Sequence, residues 1–329
     1  MKKVSALFLT LFPLWVIAAA LAGFAVPDFL SSFSDWVVPL LMCVMLCMGL
    51  TLSVDDFIKV SEYKWALCIG VLLQFSVMPA IAFLISLSLG FSPELTAGMV
   101  IVGSVAGGTA SNVIALIAGG NVALSVSMTA FSTLFSIFMT PLLLLLWVGT
   151  TVEVQAGAML LNLIKIVMIP VAGGVLINHF FSETIQKIEL GLPPLAVIII
   201  VYLIAIIVAL NADTITEVAL PVVIATLAHN VLGLCAGYAA ARALRYDSVI
   251  SRTIAIEVGM QNAGIASVLA LKFFTPLAAV PGAVFTIWLN ITGSIFAYFC
   301  RRMDAKNIGS QQAEDGQAED GLHVGSSLN

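Results

Sequence analysis

The sequence predicts an all-α membrane protein that crosses the bilayer many times. Of its 329 residues, 61% are hydrophobic and only 9% are charged, whereas about a quarter of the residues in a soluble domain are charged. The apolar runs are about 20 residues long and do not alternate with polar residues, which excludes the strands of a membrane barrel. Because a backbone in lipid must form its hydrogen bonds within its own segment, these runs are predicted to be helices.

Ten apolar segments are predicted to span the membrane, within one domain of residues 1–303. The first is interpreted as a retained helix, because its apolar run is longer than the roughly 7 to 15 residues of a signal-peptide core. The polar stretch at 304–329 is predicted to be a disordered cytoplasmic tail. The predicted spans are 5–24, 35–52, 64–89, 93–118, 121–148, 157–180, 192–210, 218–243, 249–272 and 278–300.

The positive charges support this count. Lys and Arg accumulate in cytoplasmic loops, and with ten spans all but two of the 13 lie on the face that carries the N-terminus. The exceptions are Lys272, on the opposite face, and Lys165, inside the sixth span. Both termini are therefore predicted to be cytoplasmic, in an inner (cytoplasmic) membrane. Lys165 either extends its amine to the membrane interface or pairs with a bound anion.

Two spans are interrupted by glycines and polar residues. Residues 107–118 read GGTASNVIALIA at the end of the fourth span, and residues 257–270 read EVGMQNAGIASVLA in the ninth. Ten spans divide into halves at about 5–148 and 157–300, and a repeated unit of five spans is inverted relative to its copy. Asn112 and Asn262 occupy matching places. Paired interruptions of this kind indicate the binding site of a secondary transporter.

Glu257 lies inside an apolar span, where a carboxylate costs roughly 2.5 to 3.5 kcal/mol on insertion scales. A cation is the expected partner, and neighbouring oxygen-bearing side chains would complete its shell. Free N–H groups at the start of the half-helices would attract an anion. For single neutral residues two simpler roles stay open: glycines allow close helix packing, and hydroxyls bond to the preceding helical turn.

Enzyme motifs are absent from the sequence. It contains no H-E-x-x-H, G-x-S-x-G or Walker loop, and its five cysteines lie in apolar runs without the spacing of metal ligands. We therefore predict that the protein is not an enzyme and has no cofactor. A proton-coupled or uncoupled anion carrier and a non-transporting membrane receptor remain as alternatives. His229 and Asn230 fit either a proton relay or hydrogen-bonded packing.

The interrupted spans also resemble those of a known family. GGTASNVIALIAGGNVALSVSMTAFSTL at 107–134 and EVGMQNAGIASVLA are similar to the bile acid:sodium symporter (BASS) family, including its bacterial homologues, and the similarity covers about residues 5 to 300. The resemblance implies ten helices as two inverted five-helix repeats. Helices three to five and eight to ten would form a core, with helices four and nine broken and crossed, and the others would form a panel.

The resemblance further implies a symporter that imports an organic anion, either a bile acid or a small carboxylate such as pantoate. Sodium ions, this anion and membrane lipid are the expected partners, and nucleic acid is not. Leu289 stands where some bacterial relatives have a histidine, so the polar contacts of the anion are expected to differ there.

The same resemblance implies the binding residues. Sodium site 1 would comprise Ser111, Asn112, Ser125, Thr129 and Glu257. Sodium site 2 would comprise Gln74, Glu257, Val258, Met260 and Gln261, with backbone oxygens from Val258 and Met260. The substrate would bind near Thr109, Asn262 and Asn290.

Overall fold

The computed structural model describes residues 11–52, 63–108 and 110–325, which form helices joined by short turns. Single turns of 3-10 helix cover Ser34–Trp36 and Glu189–Gly191, and a π-helical segment covers Ile164–Met168. The α-helices are α1 Phe12–Ala25, α2 Pro27–Ser31, α3 Val37–Thr51, α4 Lys64–Ser88, α5 Pro93–Ser104, α6 Ala110–Ala118, α7 Val122–Val148, α8 Ala156–Leu163, α9 Ile169–Phe180, α10 Ser182–Ile188, α11 Leu192–Leu210, α12 Ala212–Ala243, α13 Ser248–Gly259, α14 Ala263–Phe273 and α15 Pro276–Gly325.

Seven helical stretches in the described chain are long and apolar enough to cross a membrane, which confirms the prediction of an all-α, multi-pass protein. These stretches are Ser34–Thr51, Lys64–Ser88, Val122–Val148, Ala156–Phe180, Leu192–Leu210, Leu220–Ala243 and Pro276–Asp304. The other three predicted spans are not among these seven, for two reasons. The first begins outside the described residues, and the fourth and ninth are each divided into two shorter helices, α5 with α6 and α13 with α14.

The first half of each divided span, with the break that follows it, lies inside the bundle. In α5 all residues from Leu95 to Ser104 are buried, and in α13 all residues from Ile250 to Gly259 are buried. A break in a helix leaves backbone groups without helical partners, and lipid cannot supply them. The breaks are therefore placed where surrounding helices cover them.

Two arginines join α6, α13 and α15 at one end of the bundle. The buried Arg252 of α13 donates hydrogen bonds to both carboxylate oxygens of Asp304 at 2.6 and 2.7 Å, and to the carbonyl of Ala118 at 2.8 Å. Arg301 donates to the carbonyl of Ile117 at 2.8 Å. The end of α6 is thus anchored to α13 and α15. Helix α15 continues past Asp304 to Gly325, and the disorder expected for residues 304–329 in solution stays a prediction.

Two adjacent glycines in α9 have different surroundings. A Cβ atom added at Gly174 would lie 2.6 Å from the nitrogen of Leu50 and 2.7 Å from the Cα of Gly49, whereas at Gly173 it would meet nothing within 4 Å. Because overpacking costs about 1–3 kcal/mol, we expect Gly174→Ala to lower the melting temperature in detergent. Gly173→Ala is the matched control and should leave it unchanged or raise it. Equal melting temperatures for both variants would contradict the close contact of α3 with α9.

Candidate functional site

The break between α5 and α6 contacts the break between α13 and α14 through main-chain hydrogen bonds. Gly107 and Gln261 form an isolated antiparallel bridge, and the N–H group of Gly108 donates to the carbonyl of Met260 at 2.8 Å. A Cβ atom at Gly108 would lie 2.8 Å from the carbonyl oxygen of Gln261. We call this contact, residues 105–108 with residues 260–262, the crossing. Each break supplies hydrogen-bond partners that the other break lacks.

Asn262 belongs both to the crossing and to the start of α14. Its N–H group donates to the carbonyl of Ala106 at 2.8 Å, and its side-chain oxygen accepts from the N–H group of Ile265 at 3.1 Å. The second bond is an N-cap, which satisfies one of the free donors in the first turn. The positive end of the α14 dipole therefore lies at the crossing.

Side chains from neighbouring helices satisfy the last carbonyls of the two helices that end there. The hydroxyl of Thr140 donates to the carbonyl of Ser104 at 2.6 Å. The amide of Asn230 donates to the carbonyl of Gly259 at 2.8 Å. Since these carbonyls have no partner within their own helices, the two polar side chains stabilise the broken geometry.

Glu257 is buried beside the crossing, with 2% of its surface exposed. Its carboxylate accepts hydrogen bonds from Ser111 Oγ at 2.5 Å and Thr129 Oγ1 at 2.7 Å, and also from the hydroxyl of Ser125. Among the described residues the salt bridge found joins Arg252 to Asp304 and does not involve Glu257. The carboxylate is thus surrounded by neutral oxygens, and no cationic side chain in the described part of the chain balances its charge.

Asn112 completes this group of oxygens. Its Oδ1 atom lies 2.8 Å from the hydroxyl of Ser125 and 3.3 Å from that of Thr129, so each hydroxyl can donate its one proton either to Asn112 or to Glu257. All five residues expected at sodium site 1 are therefore joined by hydrogen bonds around one carboxylate. Since a hydroxyl can rotate, the same side chains can turn their lone pairs towards a cation. An all-oxygen set with one negative charge suits a hard cation.

The residues expected at sodium site 2 form a second group of polar contacts near the crossing. Gln74 Nε2 lies 2.8 Å from the carbonyl of Val105 and 2.5 Å from Gln261 Oε1, and Gln261 Nε2 donates to the carbonyl of Val258 at 2.8 Å. Gln74 and Glu257 line one small cavity. The carbonyl of Met260 accepts a hydrogen bond from the N–H group of Gly108.

A second, larger cavity lies against the crossing. Its polar lining includes Asn262 and Asn290, and Leu289 contributes to its apolar wall. Thr109, also expected at the substrate site, lies outside the described residues. Within the described part of the chain none of the lining residues is charged, and Lys165, exposed in the π-helical segment, is not among them.

Two residues at the site were not predicted from the sequence. Ser132 Oγ accepts from the N–H group of Gly107 at 3.3 Å, and Thr140 holds the end of α5. The sequence did contain a pattern that could have identified them. Hydroxyl residues recur in α7 every three to four positions, which places them on one helical face. The members of this stripe are Ser125, Thr129, Ser132, Ser136 and Thr140.

Apolar spans, two breaks that pair at mid-bundle and a buried carboxylate beside them define the class of protein: a multi-pass membrane transporter. The chain belongs to the sodium bile acid symporter family. The model of that family matches residues 38–218, more than half of the chain. The resemblance detected in the two interrupted segments is thereby confirmed.

Curated relatives agree with this assignment. The chain is 36% identical to the uncharacterized sodium-dependent transporter YocS of Bacillus subtilis, over 95% of this chain and 98% of the relative. It is 38% identical to the probable sodium/metabolite cotransporter BASS1 of Arabidopsis thaliana, over 91% and 75% of the two chains. It is 32% identical to the human ileal sodium/bile acid cotransporter, over 72% and 69%. These relatives are named as transporters rather than enzymes, which confirms that prediction.

Proposed function

We propose that the protein is a sodium-coupled symporter that imports an organic anion across the cytoplasmic membrane by alternating access. Family membership and the names of the relatives support sodium-coupled transport. The observation that carries the proposal is Glu257, a buried carboxylate surrounded by oxygens and without a cationic side chain in the described structure. An unbalanced charge is costly inside a membrane protein, so a mobile cation is its natural partner.

In this proposal two sodium ions share the charge of Glu257. The hydroxyls that now donate to the carboxylate turn away, so that their lone pairs and the carboxylate face the ion together. Site 1 uses the side chains of Ser111, Asn112, Ser125, Thr129 and Glu257. Site 2 uses the side chains of Gln74, Glu257 and Gln261 and the backbone oxygens of Val258 and Met260.

The anion occupies the larger cavity, the one lined by Asn262 and Asn290. Its carboxylate lies near the start of α14, where the side-chain amide of Asn262 and the N–H group of Gly264 offer donors. Asn290 contributes a polar contact from α15, and we assign Thr109 to the same site from the family resemblance. Because the described lining carries no cation, we propose a substrate with one negative charge on an apolar body, either a bile acid or a small carboxylate such as pantoate.

The proposed architecture is ten spans in two inverted repeats. Support comes from counting each broken helix as one span: α5 with α6 is then the fourth in the first half, and α13 with α14 the fourth in the second. The breaks also meet in antiparallel direction at Gly107 and Gln261, as inverted copies would. The distribution of the positive charges supports a cytoplasmic position for both termini.

Uptake into proteoliposomes tests this function. With an inward sodium gradient, purified protein is expected to accumulate at least one member of a panel containing taurocholate, pantoate and pyruvate, and choline in place of sodium should abolish accumulation. Accumulation that follows a pH gradient in sodium-free buffer would indicate a proton-coupled carrier instead. Binding of a panel member without accumulation under any gradient would indicate a receptor. Either of these results overturns sodium symport.

A further inference from the structure

Asn230 of α12 connects the end of α13 to α15. Its side chain is completely buried, and its Nδ2 group donates to the carbonyl of Gly259 at 2.8 Å. A carbonyl only accepts hydrogen bonds, so this contact fixes the amide orientation and leaves Oδ1 as an acceptor. That oxygen accepts from the hydroxyl of Thr292 in α15. One amide therefore bridges two helices that meet at the crossing.

Both ends of this bridge adjoin proposed binding residues. Gly259 lies between Val258 and Met260, whose backbone oxygens belong to the second sodium site. Thr292 lies two positions after Asn290, which lines the anion cavity. The bridge therefore joins the backbone at Gly259, beside the proposed second sodium site, to α15, which contributes Asn290 to the lining of the anion cavity.

The hydroxyl of Thr292 has two possible acceptors. It lies 2.7 Å from the carbonyl of Trp288, one turn earlier in α15, and it also contacts Asn230 Oδ1. A hydroxyl has one proton, so a strong bond to one acceptor weakens the bond to the other. A cation bound to the carbonyls beside Gly259 would shift the acceptor of the Asn230 amide, and with it the position of Oδ1 relative to this proton. The two acceptors of Thr292 would then give its bond two discrete arrangements, which coupling between sites requires.

We propose that Asn230 is a positioning residue that couples sodium occupancy to anion affinity through Gly259 and Thr292. This inference rests on the proposed sodium symport. It assigns to Asn230 a role that differs from a proton relay, because an amide carries no titratable proton. His229 beside it contacts the carbonyl of Met78 at 3.1 Å and packs on Phe285, and it takes no part in the bridge.

The test measures a coupling factor, the dissociation constant of the anion in choline chloride divided by that in sodium chloride. Isothermal titration with taurocholate, pantoate and pyruvate supplies these constants. Sodium is expected to tighten anion binding in the wild type by about 5- to 150-fold, the usual range for coupled sites. Asn230→Ala and Thr292→Val should bring the factor close to one. Thr292→Ser, which keeps the hydroxyl, should restore it.

The matched control is Thr226→Val. Thr226 is completely buried in the same helix, one turn before Asn230, but its hydroxyl bonds within α12, to Val222 at 2.7 Å. This variant should keep the wild-type factor even if its melting temperature falls, since a purely structural loss does not alter the ratio. Folded Asn230→Ala and Thr292→Val proteins with the wild-type factor would overturn the inference alone. A wild-type factor of one for every anion would overturn sodium symport and the inference with it.

Discussion

Sodium-driven uptake by the Glu257→Gln variant is expected to fall to the background of protein-free liposomes. Glutamine keeps the shape of the side chain. Its oxygen can still accept from Ser111, which lies 2.5 Å from one carboxylate oxygen, and the hydroxyl of Thr129, 2.7 Å from the other, can turn to accept from the glutamine NH2 group. It lacks the charge that both proposed sodium sites share. A unit charge about 4 Å from a cation contributes about 4 kcal/mol at an effective dielectric constant near 20, which corresponds to roughly a thousandfold in affinity.

Thermal unfolding separates a lost ion site from a lost fold. In sodium-free buffer Glu257→Gln should melt no lower than the wild type, because it removes a buried charge that has no cationic partner among the described residues. Added sodium should raise the melting temperature of the wild type but not that of the variant. Glu153→Gln, at an exposed acid, should behave as the wild type in both assays. Sodium-dependent uptake that survives in Glu257→Gln would refute both site assignments.

The second large effect is expected for Gly108→Ala, which should lose at least about 90% of uptake. The added Cβ atom would lie 2.8 Å from the carbonyl oxygen of Gln261. That atom belongs to backbone, so it cannot move aside as a flexible side chain would, and the two breaks must separate. The bond from Gly108 to Met260 would lengthen, and the residues proposed to bind ion and anion would lose their alignment.

Gly157→Ala is the control for this steric argument, because a Cβ atom there meets nothing within 4 Å. It should transport as the wild type does. Uptake is compared per amount of monodisperse protein after gel filtration, so that any loss of folded material is removed from the comparison. Wild-type uptake by monodisperse Gly108→Ala would show that the close approach at the crossing is not needed for transport.

Much of the fold was predictable because lipid imposes simple rules on a sequence. Run length identified the helical spans, and an acid inside an apolar run, Glu257, pointed to the centre of the candidate site. The glycines at 107–108 and 259 marked both breaks. These signals depend on composition and on position along one segment, which a single sequence displays directly.

The pairing of distant backbone groups was not predictable in the same way. Gly107 meets Gln261 through main-chain atoms, which are the same in every residue and leave no trace in side-chain chemistry. Asn230 and Thr140 bond to carbonyls of other helices. An isolated polar residue in a helix gives no indication in the sequence of which group it bonds to. The stripe of hydroxyls along α7 was visible, but only the packing shows that two of its members, Ser125 and Thr129, contact Glu257.

The main-chain pairing at the crossing also has a consequence for how the protein is made. The first break is synthesised long before α13 and α14. At that stage the carbonyl of Ala106 and the N–H group of Gly108 lack the partners that they have in the folded protein. Lipid cannot satisfy them. We therefore expect a nascent chain ending after α7 to hold its fourth span loosely, exposed to membrane proteases, and to become resistant only once the second half is inserted.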